Sequence, residues 1–263
     1  MDLGLRGKRA LVMGGTKGLG RSIADSLAAE GAALVISGRD QGRLDEAAAK
    51  LRAAGAASAA GVVADAASGE AMDALADAAV KAMGGVDILV LNHGGPPPCT
   101  ASEMKDEDLA AWFQVIVRSP VRIAKRLLPA MRQQGWGRII VVGSTGMQTP
   151  IPTLALSNVL RAGIWAWVKT MSGEVAPDGV TINVLAPGTI QTDRVTETTT
   201  KRAQQQGISF DEALAQAAKE IPAGRLGTPE DFGPTGAFLA SDKAGYITGS
   251  MVRVDGGRVR SML

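Results

Sequence analysis

Short apolar runs alternate with longer helical segments through most of the chain, and this alternation constrains the fold more than any other feature. The six apolar runs, interpreted as strands, are residues 9–13, 33–37, 60–64, 86–91, 137–142 and 181–185. The segments with helical spacing are residues 22–29, 44–51, 71–83, 106–133 and 155–175. Strands that are apolar throughout and separated by helices form a parallel sheet covered on both faces. Right-handed crossovers then predict an α/β fold: a doubly wound parallel sheet in a three-layer αβα arrangement.

The domain organisation follows from the same pattern. No segment rich in proline, glycine or serine divides the chain, which predicts one Rossmann-like domain over residues 1–263. Residues 192–223 are more polar and break the alternation. We expect this insertion to form one or two mobile helices over the substrate site, the alternative being a plain surface insertion. Ligands are expected at the carboxyl ends of the strands.

A glycine-rich loop, residues 14–20, follows the first predicted strand and opens the first helix. Glycines let the backbone approach a pyrophosphate closely, and a helix N-terminus supplies amide donors and positive potential. The position between strand and helix, at the start of the βαβ repeat, favours a dinucleotide site over a merely tight turn. Its contacts are expected from Gly14, Thr16, Lys17, Gly18, Leu19 and Gly20.

The charge at the end of the second strand indicates which dinucleotide binds. Arg39 stands 19 residues after Gly20, where an acidic residue would accept hydrogen bonds from a ribose 2′-hydroxyl. An arginine accommodates a 2′-phosphate instead, and Lys17 can reach the same group. The two cations predict NADP(H) rather than NAD(H). Arg39 could alternatively pair with Asp40, but Asp40 is better placed to cap the next helix.

The spacing Gly-x-x-x-Gly-x-Gly resembles that of the short-chain dehydrogenase/reductase family, and the resemblance extends over essentially the whole chain. Segments 224–230, 246–249 and 254–257 are similar to the family's C-terminal signature. The resemblance implies further cofactor contacts from Asp65, Ala66, Asn92, His93, Gly94, Arg161, Pro187, Gly188, Ile190 and Thr192. It also implies a homo-oligomer, tetramer or dimer, packed through the helices at 106–133 and 155–175.

The catalytic pattern departs from the one that the resemblance implies. Ser144 matches the family's serine, but thirteen residues later stands Ser157 in place of tyrosine. Four further on, Arg161 replaces lysine, and Ile116 occupies the position of an asparagine. The one tyrosine of the chain is Tyr246, in the C-terminal segment. Ser144, Ser157 and Arg161 are the predicted catalytic residues: two hydroxyl donors beside a fixed positive charge.

Ser157 and Arg161 could instead be relic positions that only pack against the cofactor. His93 is the only histidine, and it could be a replacement acid or could pack against the cofactor or the sheet edge. The stretch 94–98, Gly-Gly-Pro-Pro-Pro, is expected to shape the mouth of the pocket. Together with Ser-Asn-x-x-Arg from Ser157, it resembles a divergent branch similar to β-ketoacyl-carrier-protein reductases.

Three functions follow from these observations. The first is an NADP(H)-dependent oxidoreductase that transfers hydride to or from a small carbonyl or hydroxyl substrate, slower or more specialised because it lacks the phenol. The second is a non-enzymatic NADP(H)-binding sensor or partner protein. The third is a non-redox enzyme on the same scaffold, which the intact glycine loop argues against.

Composition narrows the partners. Twenty-eight basic against 26 acidic residues give a net charge of +2, and aromatic residues make up 3%, so nucleic acid is not expected. One histidine and one cysteine offer no metal constellation and no internal disulfide. No apolar stretch is long enough to cross a membrane, and no signal peptide precedes the first strand. We therefore expect a cytoplasmic protein with a small-molecule substrate.

Overall fold

A computed structural model describes residues 1–262 of the chain. Its sheet has the strand order β3-β2-β1-β4-β5-β6-β7, and every neighbouring pair is parallel. The strands are β1 Arg9–Val12, β2 Ala33–Gly38, β3 Ser58–Val63, β4 Ile88–Leu91, β5 Gly137–Val142, β6 Val180–Pro187 and β7 Met251–Val254. The predicted doubly wound parallel sheet is confirmed.

Nine α-helices are assigned within the described residues. They are α1 Gly18–Ala29, α2 Gln41–Ala53, α3 Gly69–Met83, α4 Asp106–Phe113, α5 Ser119–Gln133, α6 Ala155–Val175, α7 Asp193–Gln206, α8 Phe210–Lys219 and α9 Pro229–Leu239. The polar insertion at 192–223 contains α7 and α8, so the expectation of helices there agrees with the structure. No described helix combines the length and the apolar character that a membrane crossing requires.

Two elements differ from the sequence-based expectation. Six strands were predicted, and the structure adds β7, a four-residue edge strand that pairs only with β6. Its short apolar run is interrupted by the exposed Arg253, which hides the strand signal. The segment predicted as one helix at 106–133 is helical throughout, but residues 114–118 form a π-helical turn between α4 and α5. π-turns of this kind are frequent near functional sites.

Apolar side chains fill both faces of the sheet. On one face, α1 covers β1 and β2, and α9 covers β5, β6 and β7. The two helices contact each other, and the fully buried Phe232 of α9 belongs to this core. On the other, α3, α5 and α6 cover the sheet, with Met131 and Ile164 among the buried side chains. A smaller cluster joins the π-turn to α6 through Ile116, Leu156 and Leu160. Burial on both faces explains why the strands carry almost no polar residues.

The site lies where the strand order reverses, between β1 and β4. From β1 the chain crosses outward to β2 and β3, and it then returns to β4 on the other side of β1. The crossovers on either side of this point diverge, which opens a crevice at the carboxyl ends of β1 and β4. The glycine loop follows β1 and Asn92 follows β4, so both lie at this edge.

Candidate active site

The glycine loop leaves the N-terminus of α1 open. Gly14 and Gly18 both adopt φ +61°, a left-handed conformation that favours glycine. Lys17 occupies the N-cap position of α1, and its side chain makes no capping hydrogen bond. The first amides of a 12-residue helix are therefore left without a side-chain acceptor. This arrangement suits an anion such as a pyrophosphate.

Asn92 holds the loop in place from the neighbouring strand. Its Nδ2 donates to the carbonyl oxygens of Met13, at 3.1 Å, and Gly14, at 3.3 Å. A Cβ atom on Gly20 would lie 2.5 Å from the same Nδ2 and 2.5 Å from the Gly14 oxygen. Gly20 is thus required by the close approach of α1 to the loop. Asn92 acts on the loop backbone here, a role that the family resemblance alone does not specify.

The two cations assigned to the adenosine phosphate differ in their surroundings. Arg39 is exposed and forms no salt bridge with any described residue. Asp40 accepts a hydrogen bond from the Arg43 amide at 2.8 Å and so caps α2, as expected. Lys17 is paired: its Nζ lies 2.7 Å from Asp193 Oδ2, with both side chains well exposed. The predicted reach of Lys17 to a phosphate would require it to exchange this partner.

The remaining positions assigned to the cofactor line the same edge of the sheet. Asp65 is exposed after β3, and Ala66 beside it is half-buried. Gly188 follows β6, and its amide donates to the Val254 oxygen at 2.9 Å. The next residues are pinned to the C-terminal segment through a bridge between Ile190 and Gly227.

Ser144 follows β5 and faces the same crevice edge. Its Oγ accepts a hydrogen bond from the Gly146 amide at 3.0 Å, and the side chain caps a short 3₁₀ turn. A hydroxyl that accepts in this way keeps its own hydrogen available for donation. Ser144 can therefore donate to a substrate oxygen without giving up its structural bond.

Ser157 and Arg161 are brought together on α6. Arg161 donates through Nη1 to the Val142 oxygen at 2.8 Å and through Nε to Ser157 Oγ at 3.3 Å. Arg161 is only 8% exposed and Ser157 7%. Burial, together with the nearby charge of Arg194, lowers the pKa of Arg161 to about 10, so the guanidinium is still charged at neutral pH. A buried positive charge thus lies at the carboxyl end of β5.

His93 is a neutral imidazole. Its Nδ1 lies 2.7 Å from the Gly94 oxygen, which assigns the ring hydrogen to Nδ1 because a carbonyl only accepts. Burial and the positive charge of Arg161 lower the pKa of His93 to about 3. An imidazolium acid is therefore absent near pH 7. This argues against His93 as a replacement acid, and its packing against the cofactor or the sheet edge stays a prediction.

Arg194, at the start of α7, was not predicted from the sequence. Its Nη1 donates to the Gly95 oxygen and its Nη2 to the Pro96 oxygen, both at 3.0 Å. The polar insertion carries no motif that would single out one arginine, and only the fold brings it to the loop after β4. Among the described residues, no group of three or more metal-ligating side chains was found.

Comparison with known proteins gives consistent matches. A family model described as enoyl-(acyl carrier protein) reductase matches residues 14–258. The chain is 36% identical over 256 residues to 3-oxoacyl-[acyl-carrier-protein] reductase from Haemophilus influenzae, covering 96% of this chain and 98% of that protein. It is 35% identical to dehydrogenase/reductase SDR family member 4 from Sus scrofa, covering 96% and 88%.

Two solved structures are similar over nearly their whole length. L-sorbose reductase from Gluconobacter frateurii, complexed with NADPH and L-sorbose, superposes with a TM-score of 0.95 at 33% identity, covering 100% of both chains. YwfH, an NADPH-dependent reductase involved in bacilysin biosynthesis, superposes with a TM-score of 0.91 at 29% identity, covering 97% of this chain and 100% of that one.

Proposed function

The chain belongs to the short-chain dehydrogenase/reductase family, and from this premise we propose that it is an NADP(H)-dependent oxidoreductase. It transfers a hydride to or from a carbonyl or hydroxyl compound. The observation that carries the proposal is the open N-terminus of α1, framed by glycines and fixed by Asn92. The NADPH complex of the similar L-sorbose reductase supports the same choice of cofactor.

The residues present fit a phosphorylated dinucleotide. Uncapped amides of α1 suit the pyrophosphate, and Arg39, which forms no salt bridge within residues 1–262, suits the 2′-phosphate. Lys17 can bind the same phosphate once it breaks its salt bridge with Asp193. The bound nicotinamide would supply the hydride.

In the proposed mechanism, two serine hydroxyls and a guanidinium act on the substrate oxygen in place of a phenol. In the reductive direction the carbonyl carbon gains a hydride, and its oxygen becomes an alkoxide that must gain a proton. Ser144 and Ser157 donate hydrogen bonds to that oxygen, and Arg161 stabilises the developing negative charge. A serine hydroxyl does not ionise near neutral pH, so the proton itself comes from water or from the substrate.

The insertion at 192–223 is proposed to cover the substrate. Two contacts support this: Lys17 with Asp193, and Arg194 with the loop after β4.

We further infer a dimer or tetramer packed through α5 and α6, where a groove is lined by Leu128, Pro129 and Met171. Light scattering after size exclusion measures the oligomer size directly.

Oxidation of NADPH with a panel of ketones, aldehydes and β-ketoacyl thioesters tests the proposed activity. We expect turnover with at least one compound, and we expect Ser144→Ala to lower kcat by roughly 10²–10³-fold, as for the loss of one oxyanion donor. Ser58→Ala is the matched control, because Ser58 is exposed and begins β3 at the opposite edge of the sheet. NADPH binding with no turnover on any compound would contradict the activity.

That outcome would instead support a second candidate, a catalytically silent NADP(H)-binding protein. One observation favours it: the chain has a single tyrosine, Tyr246, and its side chain is fully exposed. No other phenol is present to replace the one missing at Ser157.

A further inference from the structure

Arg161 is a buried cation without an anionic partner. Its hydrogen-bond acceptors are a backbone carbonyl and a hydroxyl, both uncharged. Within residues 1–262 it forms no salt bridge. Burying an unpaired charge costs several kcal/mol in general, so such a group in a ligand crevice points to an anion that the ligand supplies.

A second cation faces the same region. The positive charge of Arg194 helps to lower the pKa of Arg161, so the two guanidinium groups lie close enough to repel each other. Arg194 donates to the carbonyl oxygens of Gly95 and Pro96 and forms no salt bridge with any described residue, so no carboxylate neutralises its positive charge. Two arginines therefore raise the positive potential on the substrate side of the site.

The phosphates of the cofactor lie too far from Arg161 to be its anionic partner. Arg161 is anchored at the end of β5, whereas the glycine loop follows β1, and β4 lies between them. Two strand spacings separate the positions by roughly 9–10 Å, too far for an ion pair. Arg39, assigned to the 2′-phosphate, lies one strand further away, after β2. The ribose next to the nicotinamide carries hydroxyls and no charge.

We propose that the substrate is an oxo acid or hydroxy acid whose carboxylate is bound by Arg161 and Arg194. The inference rests on the proposed function and names its substrate class. Arg161 hydrogen-bonds Ser157, which is assigned to the reacting oxygen, so the anion must lie within a few bonds of the reacting carbon. A carboxylate next to a carbonyl or hydroxyl carbon meets that condition. Guanidinium groups bind carboxylates through paired N–H donors.

Calorimetry on the protein loaded with NADP⁺ tests the proposal without requiring turnover. The probes are 2-oxo acids and 3-hydroxy acids, each paired with its methyl ester, which has nearly the same shape but no charge. We expect at least one acid to bind ten-fold or more tightly than its ester. Loss of a hydrogen bond to a charged group changes affinity by roughly 10- to 150-fold. Arg194→Ala should therefore lower the affinity for the acid by about that factor and leave the affinity for the ester unchanged.

Arg202→Ala is the matched control, because Arg202 is another arginine on α7 that pairs with Glu220 and not with the site loop. It should leave the preference for the acid intact. Arg161→Lys keeps the charge but removes the paired donors, and it too should reduce the preference. Esters that bind as tightly as acids across the panel, or the absence of binding by any acid, would overturn the inference.

The same preparation separates this inference from the proposed function. Oxidation of NADPH by neutral ketones, without binding of acids, would leave the oxidoreductase standing and reject the carboxylate site. A failure of NADPH itself to bind would reject the proposed function instead.

Discussion

Arg161 Nε and Ser157 Oγ lie 3.3 Å apart, one helical turn from each other on α6, and both side chains are buried. These are the positions where the family resemblance implies lysine and tyrosine. The pair retains a hydrogen-bond donor and a positive charge, but neither group titrates near neutral pH. In the proposed mechanism, the pair therefore contributes electrostatic stabilisation rather than proton transfer by a tuned phenol.

The first prediction concerns the pH dependence of turnover. Since the pKa of Arg161 is lowered to about 10, its charge is present at lower pH and is lost as the pH rises through that value. We expect kcat/KM to stay flat from about pH 7 to about pH 9 and to fall above it. A pH–rate profile in the reductive direction measures this. A step between those two pH values would indicate a titrating catalytic group other than Arg161 and would contradict the prediction.

The second prediction concerns the glycine loop. Gly20→Ala places a Cβ 2.5 Å from Asn92 Nδ2 and from the Gly14 oxygen, which must displace the loop. We expect at least a ten-fold loss of NADPH affinity by calorimetry, because the amides of α1 would no longer be aligned. Gly163→Ala is the control, since a Cβ added to Gly163 on α6 would meet no described atom within 4 Å outside its own helical turn. It should raise the free energy of unfolding by roughly 0.5–1 kcal/mol and leave NADPH binding unchanged.

The third prediction concerns His93, whose pKa is lowered to about 3 from its usual 6.5. Below pH 6.5 the unfolded chain binds a proton that the folded chain does not. The free energy of unfolding should therefore decrease as the pH falls from 6.5 towards 3, by at most about 1.4 kcal/mol per pH unit from this residue. His93→Gln should remove that part of the slope in denaturant titrations.

Because His93 is the only histidine, NMR reports on it without assignment ambiguity. The single imidazole should show the Nδ1-protonated form and no titration between about pH 5 and 8. An inflection near 6.5 would show that the ring titrates like a solvated imidazole and would contradict the neutral state.

The fourth prediction concerns the pair between Lys17 and Asp193. Asp193→Asn frees Lys17 and removes a negative charge beside the proposed phosphate site. We expect NADPH to bind roughly two- to five-fold more tightly, as suits an exposed pair, and we expect the gain to shrink at high salt. Asp211→Asn on α8 removes another exposed negative charge, one that forms no salt bridge among the described residues, and it should have no such effect. Weaker binding by Asp193→Asn would mean that the pair supports the bound state.

Much of the architecture could be predicted because it depends on local periodicity. Apolar runs and helical spacing were sufficient for six strands and for the helices that cover them. β7 was not predicted because Arg253 interrupts its four-residue apolar run, and an edge strand tolerates one polar side chain. The π-turn at 114–118 could not be predicted, since it keeps the helical spacing on both sides.

The site was accessible from the sequence only where it follows a motif. Ser144, Ser157 and Arg161 are predicted as catalytic residues because they stand at the spacing that the family resemblance implies, and the structure brings Ser157 and Arg161 into contact. Arg194 was not found, because it meets Gly95 across 99 residues of chain and lies in a polar insertion without periodicity. The neutral state of His93 was also out of reach, because it depends on burial and on the field of Arg161.

Calorimetric titration of the purified protein with NADPH and with NADH, with Arg39→Ala measured beside it, tests whether the site selects the phosphorylated coenzyme. We expect NADPH to bind more tightly than NADH, and we expect Arg39→Ala to lower NADPH affinity by roughly 10- to 150-fold while leaving NADH affinity unchanged. Lys50→Ala, an exposed cation on α2 that pairs with Glu46, should change neither. No heat with either coenzyme on folded protein, or equal affinity for both, would contradict it.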